Sequence, residues 1–167
     1  MPSTIYENIE INQWKKFVIN HDALNGQTIQ RNLISRNEYD PDLLINGLYC
    51  HSAKYGGATI CLRIGTAFGN KSGILYRLEC HRRSATMRKD YENYVLFFND
   101  MFRSTDLTIH YKPLLGYHKK KLLELEKKLI SLYLPLWEFP FDGIAKKSER
   151  LLEFGKIAQG YAEMKIN

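Results

Sequence analysis

The sequence predicts an α/β (α+β) domain in which a small mixed three-stranded sheet is flanked by helices. Residues 47–53 and 58–65 have the composition of two strands joined by a Gly-containing turn, and residues 107–113 have that of a third. Segments with helical periodicity alternate with these strands, and residues 119–133 form a Leu-, Lys- and Glu-rich helix without Gly or Pro. A chain of 167 residues, 44% of them hydrophobic, suits one compact domain.

Composition and charge set only broad limits on the function. Lys and Arg total 24 against 18 Asp and Glu, and the net charge of +6 permits a polyanionic partner without requiring one. The three cysteines form no Cys-x-x-Cys pair, so we expect free thiols and a reducing, intracellular, cytoplasmic setting. No apolar stretch approaches the roughly 20 residues that cross a bilayer, and the first residues lack the pattern of a signal peptide, so no membrane partner is expected. The spacing of the Cys and His residues matches no standard zinc pattern; these residues are Cys50, His51, Cys61, Cys80 and His81.

The chain is interpreted as a single domain in three parts. These are an N-terminal extension (1–45), a core (46–138) and a C-terminal turn and helix (139–167). Within the extension, residues 9–21 and 28–36 are predicted helices, and the closing helix is predicted over 145–165. We expect the extension to pack on the core, because it has ordinary globular composition.

Alternation along the first two strands predicts which side chains share a face. The predicted core face carries Leu48, Cys50, Ile60, Leu62 and Ile64. The opposite face carries Tyr49, His51, Cys61, Arg63 and Gly65. Tyr49, His51 and Arg63 would therefore form a polar cluster on a rigid support.

Two helices are predicted between the second and third strands. A loop over residues 66–73 leads into a helix over 74–84, and a second helix follows over 91–102. Arg77 and His81 stand four residues apart in the first of these helices, so they share one helical face.

Glu126 interrupts the apolar stripe of the helix predicted over residues 119–133. At helical spacing this stripe contains Leu122, Leu129, Ile130 and Tyr133. Glu124, by contrast, falls among lysines on the charged face. A carboxylate on an apolar stripe needs either a cationic partner or a metal, and a structural ion pair is the ordinary explanation when the helix is considered alone.

Four segments, in this order, resemble the motifs of the GIY-YIG nuclease superfamily. Gly47-Leu48-Tyr49 stands where the family has Gly-Ile-Tyr, and Arg63-Ile64-Gly65 stands where it has Tyr-Ile-Gly. The segment ILYRLECHRR (74–83) resembles the helix that carries the family's Arg. The segment EKKLISLYLPLW (126–137) resembles its Glu helix, which runs into a Pro-containing turn, and is most similar to small type II restriction endonucleases.

The resemblance implies a metal-dependent DNA endonuclease that uses Mg²⁺ or Mn²⁺ and leaves 5′-phosphate and 3′-hydroxyl ends, as a restriction-type or mobile-element enzyme. It implies that Tyr49, beside the cationic Arg63, is the general base and that His81 holds Tyr49 or the attacking water in place. Arg77 would bind the scissile phosphate, and Glu126 would be the metal ligand.

Basic residues near these motifs are candidates for contacts with the DNA backbone. They are Lys71, Arg82, Arg83, Lys119 and Lys120. A homodimer would suit cleavage of both strands of a palindrome, whereas a nicking monomer is equally compatible with the motifs.

The sequence departs from the family pattern at two positions. Arg63 replaces the second Tyr, and Glu138 replaces the Asn that usually follows the Pro turn. Glu138 would either supply a second acid near the metal or remove a hydrogen-bonding amide, and His51 is a further candidate without an assigned role. These departures leave open an alternative, a weakly active or inactive nucleic-acid-binding or protein-interaction module on the same fold. A DNase toxin domain with an immunity partner is a third alternative.

Overall fold

A computed structural model of the chain describes residues 10–19, 27–55, 58–70, 73–87, 106–133 and 135. Within them lie the strands β1 (Lys15–Ile19), β2 (Gly47–Tyr55), β3 (Ala58–Ala67) and β4 (Leu107–Pro113). The helices are α1 (Ile29–Ser35), α2 (Gly73–Met87) and α3 (Lys119–Tyr133). Short 3₁₀ turns, Ile11–Gln13 and Pro41–Leu44, precede β1 and β2. The predicted α+β class is confirmed.

The four described strands form one antiparallel sheet in the order β1-β4-β2-β3. The predicted strands are confirmed as β2, β3 and β4, and β3 forms one edge of the described sheet. The prediction of a mixed three-stranded sheet is wrong on two points, because every described pairing is antiparallel and β1 adds a fourth strand. Strand direction depends on long connections, which the local sequence pattern does not specify.

The helix predicted over residues 9–21 is also wrong where the structure describes this segment. β1 pairs with β4 along its whole length. Phe17 and Ile19 are buried, whereas Lys16 and Val18 are exposed. This period of two is that of a strand. The hydrogen-bonding partners of β1 come from the edge of β4, which the local sequence pattern of residues 9–21 does not indicate.

The rest of the N-terminal extension that the structure describes is packed on the body through α1. This helix confirms the one predicted over residues 28–36, and the side chain of Thr28 caps it by accepting a hydrogen bond from the backbone N–H of Arg31, at 3.2 Å. The carboxylate of Glu79 on α2 accepts hydrogen bonds from the backbone N–H groups of Ile29 and Gln30. The first turn of α1 is thereby tied to α2.

The sheet has buried side chains on both faces. On one face, α1 and α2 cover a cluster that includes Ile29, Leu33, Tyr49, Leu62, Ile74 and Leu78. On the other face, α3 covers a cluster that includes Leu48, Cys50, Cys61, Ile64, Leu122, Leu125 and Leu129. The prediction of one core face and one polar face is therefore wrong, since the sheet lies between two helical layers.

A β-bulge explains why some β3 side chains were predicted to lie on the wrong face of the sheet. His51 lies opposite Arg63, but the next pair is Ser52 with Cys61, so Leu62 is an extra residue in β3. The alternation of β3 is inverted on the N-terminal side of this bulge. The inversion places Ile60 and Leu62 on the Tyr49 face and Cys61 on the Cys50 face.

The remaining boundaries differ little from prediction where the structure describes them. α3 has the predicted bounds, whereas β3 continues to Ala67 and α2 begins at Gly73, so the predicted 66–73 loop is shorter. The helices predicted over 91–102 and 145–165 lie outside the described residues. Among the described helices, none has the length and apolar character needed to span a bilayer.

Candidate active site

A cavity of about 470 Å³ lies beside β3, at the edge of the described sheet. Because β3 is an edge strand, side chains from α2 on one face and α3 on the other can converge around it. The lining includes Tyr49, Arg63, Thr66, Tyr76, Arg77 and Glu126. Four of the five residues predicted to be catalytic therefore line one cavity. The fifth, His81, contacts the hydroxyl of Tyr49.

Tyr49, His81 and Arg63 form a connected hydrogen-bonded chain. The Tyr49 hydroxyl lies 2.8 Å from Nε2 of His81, and an Arg63 Nη1 lies 3.2 Å from Nδ1 of the same ring. These groups come from β2, α2 and β3. Pairing within the hairpin brings Tyr49 and Arg63 to one face of the sheet, and α2 places His81 against both of them.

The direction of each hydrogen bond in this chain follows from the chemistry of arginine. A guanidinium has only donors, so Nδ1 of His81 accepts from Arg63. In a neutral imidazole the proton is then on Nε2, which donates to the phenol oxygen of Tyr49. The Tyr49 hydroxyl hydrogen is consequently not used in this bond, and negative charge on the oxygen would be stabilised by the His81 N–H.

The surroundings of His81 favour this neutral tautomer. Burial lowers the pKa of His81 well below its usual range, and the nearby charges of Arg63 and Arg77 lower it further. His81 is therefore neutral at physiological pH and remains able to accept at Nδ1 and to donate at Nε2.

His51 packs behind the pair formed by Tyr49 and His81. Its ring centroid lies 5.6 Å from that of Tyr49 and 5.7 Å from that of His81, in edge-on contacts of 89° and 83°. Burial, together with the charge of Arg63, lowers the pKa of His51 well below its usual range. The structure therefore places this residue, for which the sequence suggested no role, in the cluster as a neutral packing partner.

Gly65 makes room for the phenol of Tyr49. The two residues lie opposite each other in the β2–β3 register. A Cβ at position 65 would lie 2.4 Å from the Tyr49 hydroxyl oxygen and 2.5 Å from its Cζ, closer than real Cβ contacts come. The Tyr49 ring thus lies across β3 at a point where only a glycine fits, a role that the motif itself does not reveal.

Glu126 reaches the cavity from the edge of the buried stripe of α3. Its side chain is half-buried, whereas Glu124 is exposed, so the two carboxylates have the different surroundings that the helical pattern predicts. The Thr66 hydroxyl donates to a Glu126 carboxylate oxygen at 3.5 Å. Sequence reasoning missed Thr66, because its position opposite α3 depends on the register of β3.

The carboxylate at the cavity, that of Glu126, fits one mode of metal binding. Among the described residues there is no group of three or more His, Cys, Asp or Glu side chains placed to hold a metal ion. Mg²⁺, however, is commonly held by one or two carboxylates completed by waters and substrate phosphate oxygens. Glu126 can supply one such carboxylate, so this donor set suits Mg²⁺ or Mn²⁺ bound together with substrate. Cys50 and Cys61 lie on the opposite face of the sheet from His51, so these three do not converge on one site.

The predicted DNA-contacting residues fall in different places. Lys119 and Lys120 are exposed at the start of α3, and Lys119 Nζ lies 4.6 Å above the ring centroid of Phe68. Arg82 donates to Glu79 at 2.9 Å and does not line the cavity, nor does the exposed Arg83. Lys71 and Glu138 lie outside the described residues.

Comparisons of this chain with protein-family models, with curated proteins and with solved structures return no match. The features that bear on function are therefore the geometry of this cavity and the motif resemblance.

Proposed function

We propose that the protein is a metal-dependent DNA endonuclease of the GIY-YIG type, which hydrolyses phosphodiester bonds to 5′-phosphate and 3′-hydroxyl ends. The observation that carries this proposal is the convergence of a carboxylate, two guanidinium groups and a hydrogen-bonded tyrosine on one cavity. Phosphodiester hydrolysis needs a base for water, positive charge at the phosphate and stabilisation of the leaving oxygen. The side chains at this cavity have the chemistry for the first two tasks, and a metal ion held by the carboxylate would supply the third.

Tyr49 is the proposed general base. Its oxygen accepts from the Nε2–H of His81, so the phenolate form that removes a proton from water is stabilised by a fixed donor. Arg63 holds Nδ1 of the same ring and so prevents the imidazole from presenting its other tautomer. Arg63 thereby offers a positive charge where the family has a second phenol.

Arg77 is the proposed phosphate-binding residue. It lies on α2 and lines the cavity. A guanidinium can donate two parallel hydrogen bonds to phosphate, which fixes the phosphate's orientation as well as balancing its charge.

Glu126 is the residue that would hold the metal ion, and Thr66 would keep its carboxylate in position. When bound, Mg²⁺ or Mn²⁺ would balance the charge that develops on the phosphate and the leaving oxygen. Exposed Lys119 and Lys120 would add sequence-independent contacts with the DNA backbone. The three cysteines are free thiols, which is compatible with the reducing cytoplasm that we propose as the setting.

One observation favours the alternative, a catalytically weak or inactive nucleic-acid-binding module. Tyr49 has 0% of its surface exposed, although it borders the cavity. A base buried to this degree meets its water only inside the cavity, so a substrate that cannot enter would be bound without being cut.

Incubation of supercoiled plasmid with the protein in Mg²⁺, Mn²⁺ or EDTA separates the two functions. The endonuclease predicts nicked or linear DNA that appears only with metal, and ligation and sequencing of the ends identify the 5′-phosphate. Tyr49→Phe keeps the packed ring and should still bind DNA, but it should cut roughly 100-fold or more slowly because the base is lost. A gel shift without cleavage in either metal would establish the binding module instead.

A further inference from the structure

Two exposed aromatic rings border the same cavity. Phe68 is 40% exposed and Tyr76 is 37% exposed, and both line the cavity that holds Tyr49 and Arg77. The other Phe, Tyr and Trp side chains whose burial the structure describes are buried or half-buried. Exposed apolar side chains are ordinary when scattered, but the described exposed rings are both at this one site.

Positive charge accompanies these rings. Lys119 Nζ lies 4.6 Å from the ring centroid of Phe68, which places a cation beside a ring that lines the cavity. Arg77 supplies a second cation within the lining. Aromatic faces interleaved with basic groups are the features by which proteins hold single-stranded nucleic acid, since bases stack on the rings and phosphates contact the cations.

The burial of Tyr49 and the size of the cavity limit which forms of DNA can reach this residue. The cavity volume of about 470 Å³ is that of a pocket for one small molecule, and the fully buried Tyr49 forms part of its lining. In a regular duplex the bases are stacked inside and cannot contact such walls. A base contacts the walls of a pocket of this size only when it leaves the stack or comes from a single strand.

We infer that this cavity takes a nucleotide whose base is unstacked and lies against Phe68 and Tyr76, so the substrate is single-stranded DNA or DNA with unpaired bases at the cut. The inference rests on the proposed function for cleavage, but the stacking that it describes can be measured without cleavage.

The test is a binding titration in EDTA, where no metal-dependent cleavage occurs. Fluorescence anisotropy compares a short single strand, its fully paired duplex and the same strand with abasic sugars in place of its central bases. We expect the single strand to bind most tightly. Phe68→Ala and Tyr76→Ala should each weaken single-strand binding by about 5- to 150-fold and leave binding of the abasic strand nearly unchanged.

Two controls separate stacking from general apolar contact. Phe68→Leu keeps an apolar side chain without an aromatic face and should behave nearly as Phe68→Ala does. Ile34→Ala alters a 52% exposed apolar side chain on α1, outside the cavity lining, and should leave binding unchanged. Thermal melts of all four variants should match that of the parent, because each altered side chain is exposed.

Equal affinity for the three DNA forms, or no loss in the two Ala variants, would overturn this inference even if plasmid DNA is cut. A free deoxynucleoside monophosphate that binds as tightly as the strand would also overturn it, because the ligand would then be a small nucleotide. The predicted binding pattern in a protein that never cuts DNA would sustain the base stacking and would contradict the endonuclease.

Discussion

Substitution of Gly65 by alanine tests the packing on which the Tyr49 geometry depends. The new methyl group would lie 2.4 Å from the Tyr49 hydroxyl oxygen, 2.5 Å from Cζ and 3.0 Å from Cε2. Normal carbon contacts are about 3.5–4.0 Å, so the ring must move by roughly 1 Å or more. Tyr49 has no exposed surface, so the displaced ring presses on packed neighbours in every direction except that of the cavity it lines.

The cost of this substitution can be set from known overpacking of buried sites. Inserting a methyl group into a well-packed interior costs about 1–3 kcal/mol, which corresponds to a fall in Tm of roughly 2–12 °C for a chain of this size. The 2.8 Å contact between Tyr49 and His81 is lost or lengthened when the ring moves. We therefore expect Gly65→Ala to fold with reduced stability and to lose DNA cleavage.

Gly116→Ala is the control that separates stability from site geometry. At position 116 a Cβ would meet no atom within 4 Å, but φ is +79°, so alanine is strained by the backbone alone. That strain costs about 1–2 kcal/mol, similar to the first variant, and leaves Tyr49 untouched. Thermal melts and plasmid cleavage should show two destabilised proteins, of which Gly116→Ala still cuts DNA. Wild-type Tm and wild-type cleavage in Gly65→Ala would refute the assigned contact between Gly65 and Tyr49.

Three other predictions test separate parts of the account. Arg77→Lys should cut DNA much more slowly than the parent, because an ammonium cannot donate the paired hydrogen bonds of a guanidinium; near-normal cleavage by the folded variant would exclude that role. His110, whose pKa is lowered to about 4 by burial and by the charge of Lys16, should stabilise the fold above pH 6.5. This stabilisation is lost as the pH falls from 6.5 through about 4, because His110 in the unfolded chain takes up a proton at a higher pH than it does in the folded protein. The Tm difference between the parent and His110→Gln should therefore shrink over that range. A Tm difference that stays constant with pH would contradict this prediction. Iodoacetamide should alkylate the half-buried Cys80 first in the native protein, because the other two cysteines are buried and burial raises the pKa of the Cys50 thiol well above its usual range; peptide mapping that finds Cys50 modified first would disprove the burial.

Local pattern was sufficient for those elements whose residues alone determine their structure. α3 lacks Gly and Pro and carries an apolar stripe along its whole length that only Glu126 interrupts, and β4 alternates up to a proline, so both have the bounds that their sequences predict. β1 could not be predicted in this way, because its five residues form a strand only when β4 offers a free edge. The bulge at Leu62 of β3, opposite the step from His51 to Ser52, is likewise a feature of strand pairing. It decides on which face of the sheet each earlier β3 residue lies.

The candidate site likewise contains residues that the sequence predicts and residues that only the structure identifies. Resemblance to family motifs was enough to select Tyr49, Arg77 and Glu126, and the structure brings these three to one cavity. The steric role of Gly65 and the contact from Thr66 required the register of β3, which no motif encodes. The exposed rings at the rim could not be distinguished from core aromatics until burial was known.

The most direct test of the proposed enzyme is the rate of metal-dependent plasmid cleavage by Glu126→Gln, with Glu124→Gln as the matched control. Glutamine keeps an oxygen that accepts from Thr66, so we expect a Tm equal to or above that of the parent, while cleavage and the dependence on Mg²⁺ concentration are lost. Glu124 is exposed on the same helix, and its variant should melt and cut as the parent does. A structural ion pair would instead make Glu126→Gln unstable by about 3–5 kcal/mol. Cleavage at the parental rate by folded Glu126→Gln, or cleavage at low temperature by a strongly destabilised one, would contradict the metal-ligand assignment and with it the proposed endonuclease.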